Sequence, residues 1–348
     1  MNQHLSGAGS QIAAISKKAR FYERAAPGAF FLEAGDTEGL DRYLRGRNWL
    51  EKDEHLCSAE LAGQGNMNYI LRAITNLRTF ILKQSRPWVE KYSDIAAPFD
   101  RALVEAEFYH LVAGSAAADF MPKLHWVDEE SRILCLEDLG MTGDCSAIYA
   151  GAPLSLEVEK QLYQFLSLLH RTPSRLSNRE MRELNHFHIF VFPFALDNNF
   201  DLDSITPGLQ QLAGSIKNNH TLRRHISELG EIYLGEGGYL LHGDFFPGSW
   251  LLAESGIKVI DPEFGFAGPR EFDLGVLSAH MQIAGLSSRS LAVEVHYSHR
   301  KELDSQLVRG FAGVEILRRL LGVAQLPIHS DLQRKQSLLE EAVKQVLA

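Results

Sequence analysis

Two short apolar runs each end in a carboxylate: Leu240-Leu241-His242-Gly243-Asp244 and Val259-Ile260-Asp261-Pro262-Glu263. Each reads as a strand that delivers an acid at its end. Between them, Trp250–Ala253 and Ile257–Ile260, with Gly256 at the turn, predict a hairpin. Such a fold-back presents Asp244 and Asp261 at one mouth. Two carboxylates arranged so suit metal-assisted phosphoryl transfer, one orienting an attacking hydroxyl and the other holding Mg²⁺ on nucleotide phosphates. Aspartates also start ordinary turns, so on these residues alone the two readings stand level.

Composition removes some alternatives. A chain of 348 residues suits two domains or one large one, and 35 Lys+Arg against 44 Asp+Glu give a net charge of −9. An acidic chain with no long basic cluster argues against a nucleic-acid partner. The cysteines, Cys57, Cys135 and Cys145, are too few and too scattered for a disulfide framework or a thiolate zinc site, which favours a reducing, cytoplasmic setting. The first 20 residues contain no apolar signal core. Ile189–Leu196 is apolar but too short to span a bilayer and carries Pro193. No membrane partner is expected.

Residues 1–28 read as a flexible leader, and residues 29–140 as a strand-rich lobe. Helices are predicted over Thr37–Arg45 and Arg101–Ala113. Hairpins are predicted from Leu61–Thr75 with Thr79–Gln84, and from Lys123–Val127 with Arg132–Glu137. Residues 141–348 read as a mainly helical lobe, with helices over Leu156–His170, Ile205–Lys217, Leu222–Leu229, Phe272–Ala284, Glu302–Leu321 and Leu332–Leu347. A strand-rich insert spans Tyr239 to Ile260.

Several further residues bear on chemistry. Gly63-Gln64-Gly65-Asn66-Met67-Asn68 is a glycine-rich turn whose backbone N–H groups could approach phosphates, or an ordinary β-turn. Lys83 stands in an otherwise apolar strand, as an edge residue with a solvated tip or as a phosphate-binding cation. Glu105 could pair with it or lie on a solvated helix face. His186 and His188 would share a face if their segment were a strand, but no third zinc ligand is near. Arg318 and Arg319, about 100° apart on a helix, read as a solvated basic face or as a pair of which at least one member faces the site.

The order of these features resembles the kinase-like fold: an α+β, protein-kinase-like architecture with a small β-rich N-lobe and a larger, mainly helical C-lobe. More narrowly it resembles the small-molecule kinases that include aminoglycoside and choline kinases. Gly65-Asn66-Met67-Asn68, Lys83-Gln84 with Arg86-Pro87-Trp88-Val89, and Leu136-Glu137-Asp138-Leu139 are similar to stretches of 5-methylthioribose kinases. So are His242-Gly243-Asp244 with Gly248-Ser249, Asp261-Pro262-Glu263-Phe264, Gly268-Pro269 with Phe272-Asp273, and Gly313-Val314-Glu315 with Arg318-Arg319 and Gly322. The likeness runs from about residue 36 to 325.

The resemblance implies an enzyme that transfers the ATP γ-phosphate to a hydroxyl of a small molecule, with Mg²⁺. Its first choice of acceptor is 5-methylthioribose, phosphorylated at position 1 in methionine salvage. It assigns Gly63, Gly65, Asn66 and Asn68 to the ATP phosphates, Lys83 paired with Glu105 to the same phosphates, and Glu137 to Leu139 to adenine. It assigns Asp244 to the acceptor hydroxyl, Asp261 and Glu263 to Mg²⁺, and Ser249 to the position of a metal-contacting asparagine. Arg318, Arg319 and His242 fall to the acceptor. It also implies an active site in the cleft between the lobes and a homodimer. Phe246, Pro247, Trp250 and Arg270-Glu271 depart from the family pattern close to where the acceptor is expected. They keep open another acceptor (an aminoglycoside, choline or another sugar) and a nucleotide-binding module without catalysis.

Overall fold

The computed structural model describes residues 17–63, 67–286, 296–326, 328 and 331–348. The chain folds as two units, residues 1–106 with 123–138, and residues 107–122 with 139–348.

The first unit is built on a five-stranded antiparallel sheet of order β1-β2-β3-β7-β6: β1 Leu56–Leu61, β2 Tyr69–Thr75, β3 Thr79–Gln84, β6 Leu124–Asp128 and β7 Ile133–Glu137. A separate ribbon pairs β4 Trp88–Val89 with β5 Tyr92–Ala96. Strand β2 shows the physical basis of the sheet. Tyr69, Leu71, Ala73 and Thr75 alternate inward, and a period of two puts them all on one face. That face packs with Phe80, Leu82 and Ile133 against Leu40 and Leu44 of helix α2, Thr37–Gly46. The helix is capped by the Asp36 carboxylate, which accepts Gly39 N–H at 2.9 Å.

Two expectations need correction here. Leu61–Thr75 is not one strand: β1 ends at Leu61 and β2 begins at Tyr69, and Gly63 between them has φ +73°, a left-handed backbone. Nor are residues 17–28 a flexible leader. Residues 17–25 form helix α1. Its Tyr22 is fully buried, donates its O–H to Ser131 O at 2.7 Å, and packs with Trp88. One deeply buried ring among charged neighbours gives no periodic signal, so the sequence pattern hides it.

In the second unit the helices are α4 Leu156–Leu169, α5 Arg179–His186, α6 Leu209–Lys217, α7 His220–Leu234, α8 Glu271–Ile283, α9 Ser305–Leu321 and α10 Leu332–Leu347. Helix α3, Arg101–Val112, begins in the first unit and ends in the second. Residues 107–122, grouped by sequence with the strands, pack instead in the second unit. Phe108 Cδ2 lies 2.6 Å from where a Cβ on Gly265 would stand, and Lys258 Nζ donates to Asp119 O at 2.8 Å.

Helix α9 is the central helix of the unit. A Cβ on Gly275 of α8 would come within 2.6 Å of Phe311 Cβ, and one on Gly313 within 2.6 Å of Ala342 O of α10. With α8 and α10 that close, every residue from Gly310 to Leu321 is buried. The two-stranded pairs β9 Trp250–Ala253 with β10 Gly256–Val259, and β8 Tyr239–Leu241 with β11 Phe266–Gly268, complete the unit. Among the described residues no helix is long and apolar enough to cross a membrane.

Candidate active site

In the first unit, Lys83 lies in the central strand, not at an edge. It is 2 % exposed, and its Nζ stands 2.9 Å from Oε1 and 2.7 Å from Oε2 of Glu105, which is fully buried on α3. Asn68 is buried, and its Oδ1 accepts from Arg101 Nε at 2.9 Å. Gly65 and Asn66 lie outside the described residues. Arg101 also donates to Met67 O at 2.6 Å and to Arg86 O at 2.7 Å, so it pins the C-terminal end of the glycine turn to the start of α3. Nothing in the sequence singles it out. At the end of β7, the Glu137 carboxylate accepts Lys123 N–H at 3.0 Å. Asp138 then takes a two-pronged pair from Arg72, at 2.8 and 2.9 Å, and Leu139 is half-buried.

In the second unit, β8 runs into His242-Gly243-Asp244. Gly243 has φ +83°, and a Cβ there would sit 2.1 Å from Phe264 O. Only glycine lets this turn touch the turn that follows Asp261, itself left-handed at φ 60°. His242 Nε2 lies 2.9 Å from Ile260 O, a second tie between the two segments. The hairpin expected from the sequence is present as β9 and β10.

His242 is fully buried, so it braces the two acid-bearing turns and offers no surface to an acceptor. Ser249, expected at the position of a metal contact, is buried and bonds to backbone. Its Oγ donates to Phe246 O at 2.8 Å and accepts Phe246 N–H at 3.3 Å, closing the loop after Asp244. Asp261 and Glu263 bring two carboxylates without thiolate or imidazole, a hard-oxygen donor set of the kind Mg²⁺ takes. Among the described residues no group of three or more metal-binding side chains gathers. A hard cation of this kind takes one or two carboxylates and completes its shell with water and phosphate oxygens.

Helix α9 brings both arginines to Asp244. Arg318 Nη2 lies 3.1 Å and Arg319 Nη2 3.0 Å from Asp244 Oδ1. The expectation that adjacent helical residues diverge fails because both follow Glu315, at i+3 and i+4, and straddle its direction on the helix. Arg318 Nε donates to Glu315 Oε2, and Arg319 Nε to Glu315 Oε1 at 2.7 Å. Glu315 Oε1 also lies 3.0 Å from His280 Nε2, whose ring partner atom Nδ1 is 2.7 Å from Tyr149 Oη. Burial opposes ionisation of Glu315, but Arg318, Arg319 and His280 outweigh it and hold the carboxyl well below its usual range. Burial pushes His280 down to about 4, against the pull of Glu315, so it is neutral near pH 7. Glu315, His280 and Tyr149 were given no role from sequence, although the Glu-x-x-Arg-Arg spacing carried the signal.

The residues that depart from the family pattern also find their places. The Phe246 ring lies under the Arg319 guanidinium at 4.7 Å, a cation–π contact. Trp250 is buried against Phe245, and Arg270 stacks on Tyr239 at 4.6 Å while pairing with Glu302 at 3.0 Å. His186 and His188 do not alternate on a strand: α5 ends at His186 and residues Phe187–Val191 wind on as a π-turn. A helical path separates the two rings, and His186 stacks on Phe190 at 5.3 Å.

Known proteins bear on this geometry. Residues 61–305 match the Phosphotransferase enzyme family. Methylthioribose kinases of Bacillus cereus strains G9842 and B4264 are each 24% identical over 356 residues, covering 88% of this chain and 89% of theirs. The choline kinase LicA of Streptococcus pneumoniae matches in structure with a TM-score of 0.52 at 15% identity, covering 88% of this chain and 99% of that one. A spectinomycin phosphotransferase solved with ADP and spectinomycin also gives 0.52 at 15% identity, covering 91% and 98%. These likenesses carry the kinase-like fold. The chain belongs to the Phosphotransferase enzyme family, as an enzyme that passes phosphate to a hydroxyl acceptor.

Proposed function

We propose that this enzyme transfers the γ-phosphate of ATP to a hydroxyl of a neutral, sugar-like acceptor, with 5-methylthioribose, taken to its 1-phosphate in methionine salvage, as first choice. The observation that carries the reading is the convergence of Arg318 and Arg319 on Asp244 Oδ1. Two guanidinium groups there are balanced by Asp244 and Glu315, with His280 neutral. Within this cluster the two carboxylates offset the two guanidinium groups and leave no net negative charge to draw an ammonium group. A polyhydroxyl acceptor suits such donors, and the methylthioribose kinases similar in sequence support the same class.

Asp244 would act as the positioned carboxylate. Oδ1 is held by both arginines, and among the described residues Oδ2 has no hydrogen-bond partner. It would accept the proton of the acceptor hydroxyl and aim its oxygen, and in a loose phosphoryl transfer such positioning outweighs basicity. Arg318 and Arg319 would keep that carboxylate oriented and turn further N–H groups to the acceptor oxygens or the transferred group. Lys83, set by Glu105, would hold nucleotide phosphates beneath the Gly63–Asn68 turn. Asp261 and Glu263 would hold Mg²⁺, which neutralises phosphate charge when bound.

An ADP-release assay with ATP against 5-methylthioribose, other pentoses, choline and spectinomycin tests the reading. Turnover with 5-methylthioribose, lost by ~10²–10⁴ in Asp244→Asn, is the expected result. Turnover only with choline or an aminoglycoside would overturn the acceptor class. ATP binding without any acceptor-dependent ADP release would favour a module without catalysis.

A further inference from the structure

We propose that Tyr149, His280 and Glu315 form a buried positioning chain that sets how Arg318 and Arg319 present their guanidinium groups to Asp244. The inference rests on the reading of Asp244 as the group that orients the acceptor hydroxyl.

The hydrogen bonds run in one direction. Glu315, held ionised by the arginines, can only accept, so His280 Nε2 carries the ring proton and donates to Oε1 at 3.0 Å. The bare Nδ1 then accepts, and Tyr149 Oη donates to it at 2.7 Å. A neutral imidazole completes the chain, in keeping with the low pKa of His280. Glu315 is 1 % exposed and His280 is fully buried. Between them, His280 and the two Nε–H groups fix both carboxylate oxygens.

Each guanidinium is thus held at Nε by Glu315 while an Nη of each reaches Asp244. Arg319 gains a third restraint from the Phe246 ring on its face. Packing alone does not call for such an arrangement. Apolar side chains fill a core at lower desolvation cost than an ion cluster, and a connected polar network earns its place when it fixes one geometry. What this network fixes is the approach of two cations to one carboxylate oxygen, and a displacement of about 1 Å at such a point can cost ~10² in rate.

The test compares the full-length enzyme with His280→Gln, His280→Leu, Tyr149→Phe, Glu315→Gln and Asp244→Asn. Folding is checked by near-UV circular dichroism and thermal melting. ADP release is measured with ATP and whichever of 5-methylthioribose, ribose, choline or spectinomycin supports turnover, or with water as acceptor if none does. Gln at position 280 can keep a donor toward Glu315, whereas Leu cannot. The expected result is His280→Gln within about tenfold of wild type and His280→Leu and Glu315→Gln down by ~10² in kcat, with KM for ATP unchanged. Tyr149→Phe should show a smaller loss of the same kind. If Glu315→Gln does not fold, the two His280 variants decide alone. Equal rates for folded His280→Gln and His280→Leu would overturn the positioning chain. With Asp244→Asn inactive, that result leaves the reading of Asp244 standing. Wild-type turnover by Asp244→Asn would overturn that reading, and the chain with it.

Discussion

Asp273 Oδ2 accepts the backbone N–H of His242 at 2.7 Å, and both residues are fully buried. Its other oxygen accepts Gly243 N–H at 3.0 Å, and His170 Nε2 lies 3.2 Å from Oδ2. One carboxylate on α8 therefore holds the backbone that aims Asp244. Replacement by Ala leaves two buried N–H groups without their acceptor. Asp273→Ala should cost about 3 kcal/mol of stability and lower kcat at temperatures where it remains folded. Denaturant unfolding gives the first quantity, and an unchanged midpoint would refute the role assigned to Asp273.

Lys83 and Glu105 form a buried ion pair. Lys83→Met removes the ammonium that compensates Glu105 and should destabilise the enzyme by about 3–5 kcal/mol. Pairing it with Glu105→Leu removes both charges and should recover most of that loss. If Lys83 serves nucleotide phosphates, the double variant stays inactive despite its recovered stability. An active double variant would make the pair purely structural.

Acid should weaken the fold before ordinary carboxylates titrate. His280 is held at about 4 in the folded chain, below its ordinary value of about 6.5, so the unfolded chain takes up this proton first. Its contribution is full above pH 6.5 and is lost as pH falls toward 4. Glu315, held well below 4.5, adds a loss of the same sign at lower pH. The His280 contribution is of order 3 kcal/mol. Unfolding free energies measured from pH 8 to 4.5 should fall with acid in the wild type and less steeply in His280→Gln. Parallel profiles would count against this assignment.

The three cysteines should differ in reactivity. Cys57 is exposed, while Cys135 and Cys145 are buried. Burial raises the Cys135 thiol far above its usual range and pushes Cys145 up to about 12. Because the thiolate is the reactive form, a disulfide reagent at pH 8 should modify one thiol quickly and the other two only on unfolding. Cys57→Ser should abolish the fast phase.

Legibility in the sequence followed the range of the interaction. Strand β2 is readable in its inward alternation from Tyr69 to Thr75, whereas its start is not, because the sequence shows the glycine turn but not where backbone pairing resumes after it. Helix α10 was readable from end to end, Leu332–Leu347, because its apolar stripe repeats locally. The contacts of Arg101, of Asp273 and between Tyr149, His280 and Glu315 were not, since those partners stand far off in sequence, although Asp273 and Glu315 lie in stretches that carry the resemblance. Phe246 and Trp250 looked anomalous only until Arg319 and Phe245 were beside them.

By itself the sequence determined the kinds of element, the two turns that carry Asp244 and Asp261, and the family resemblance. These rest on local periodicity, turn chemistry and motif spacing. Only the tertiary structure decided that Lys83 is central and buried, that His242 and Ser249 brace loops, and that both arginines meet one oxygen of Asp244. Burial and convergence depend on packing among distant segments. The α9 arginines could be a solvated face until Asp244, Glu315 and Phe246 stand beside them.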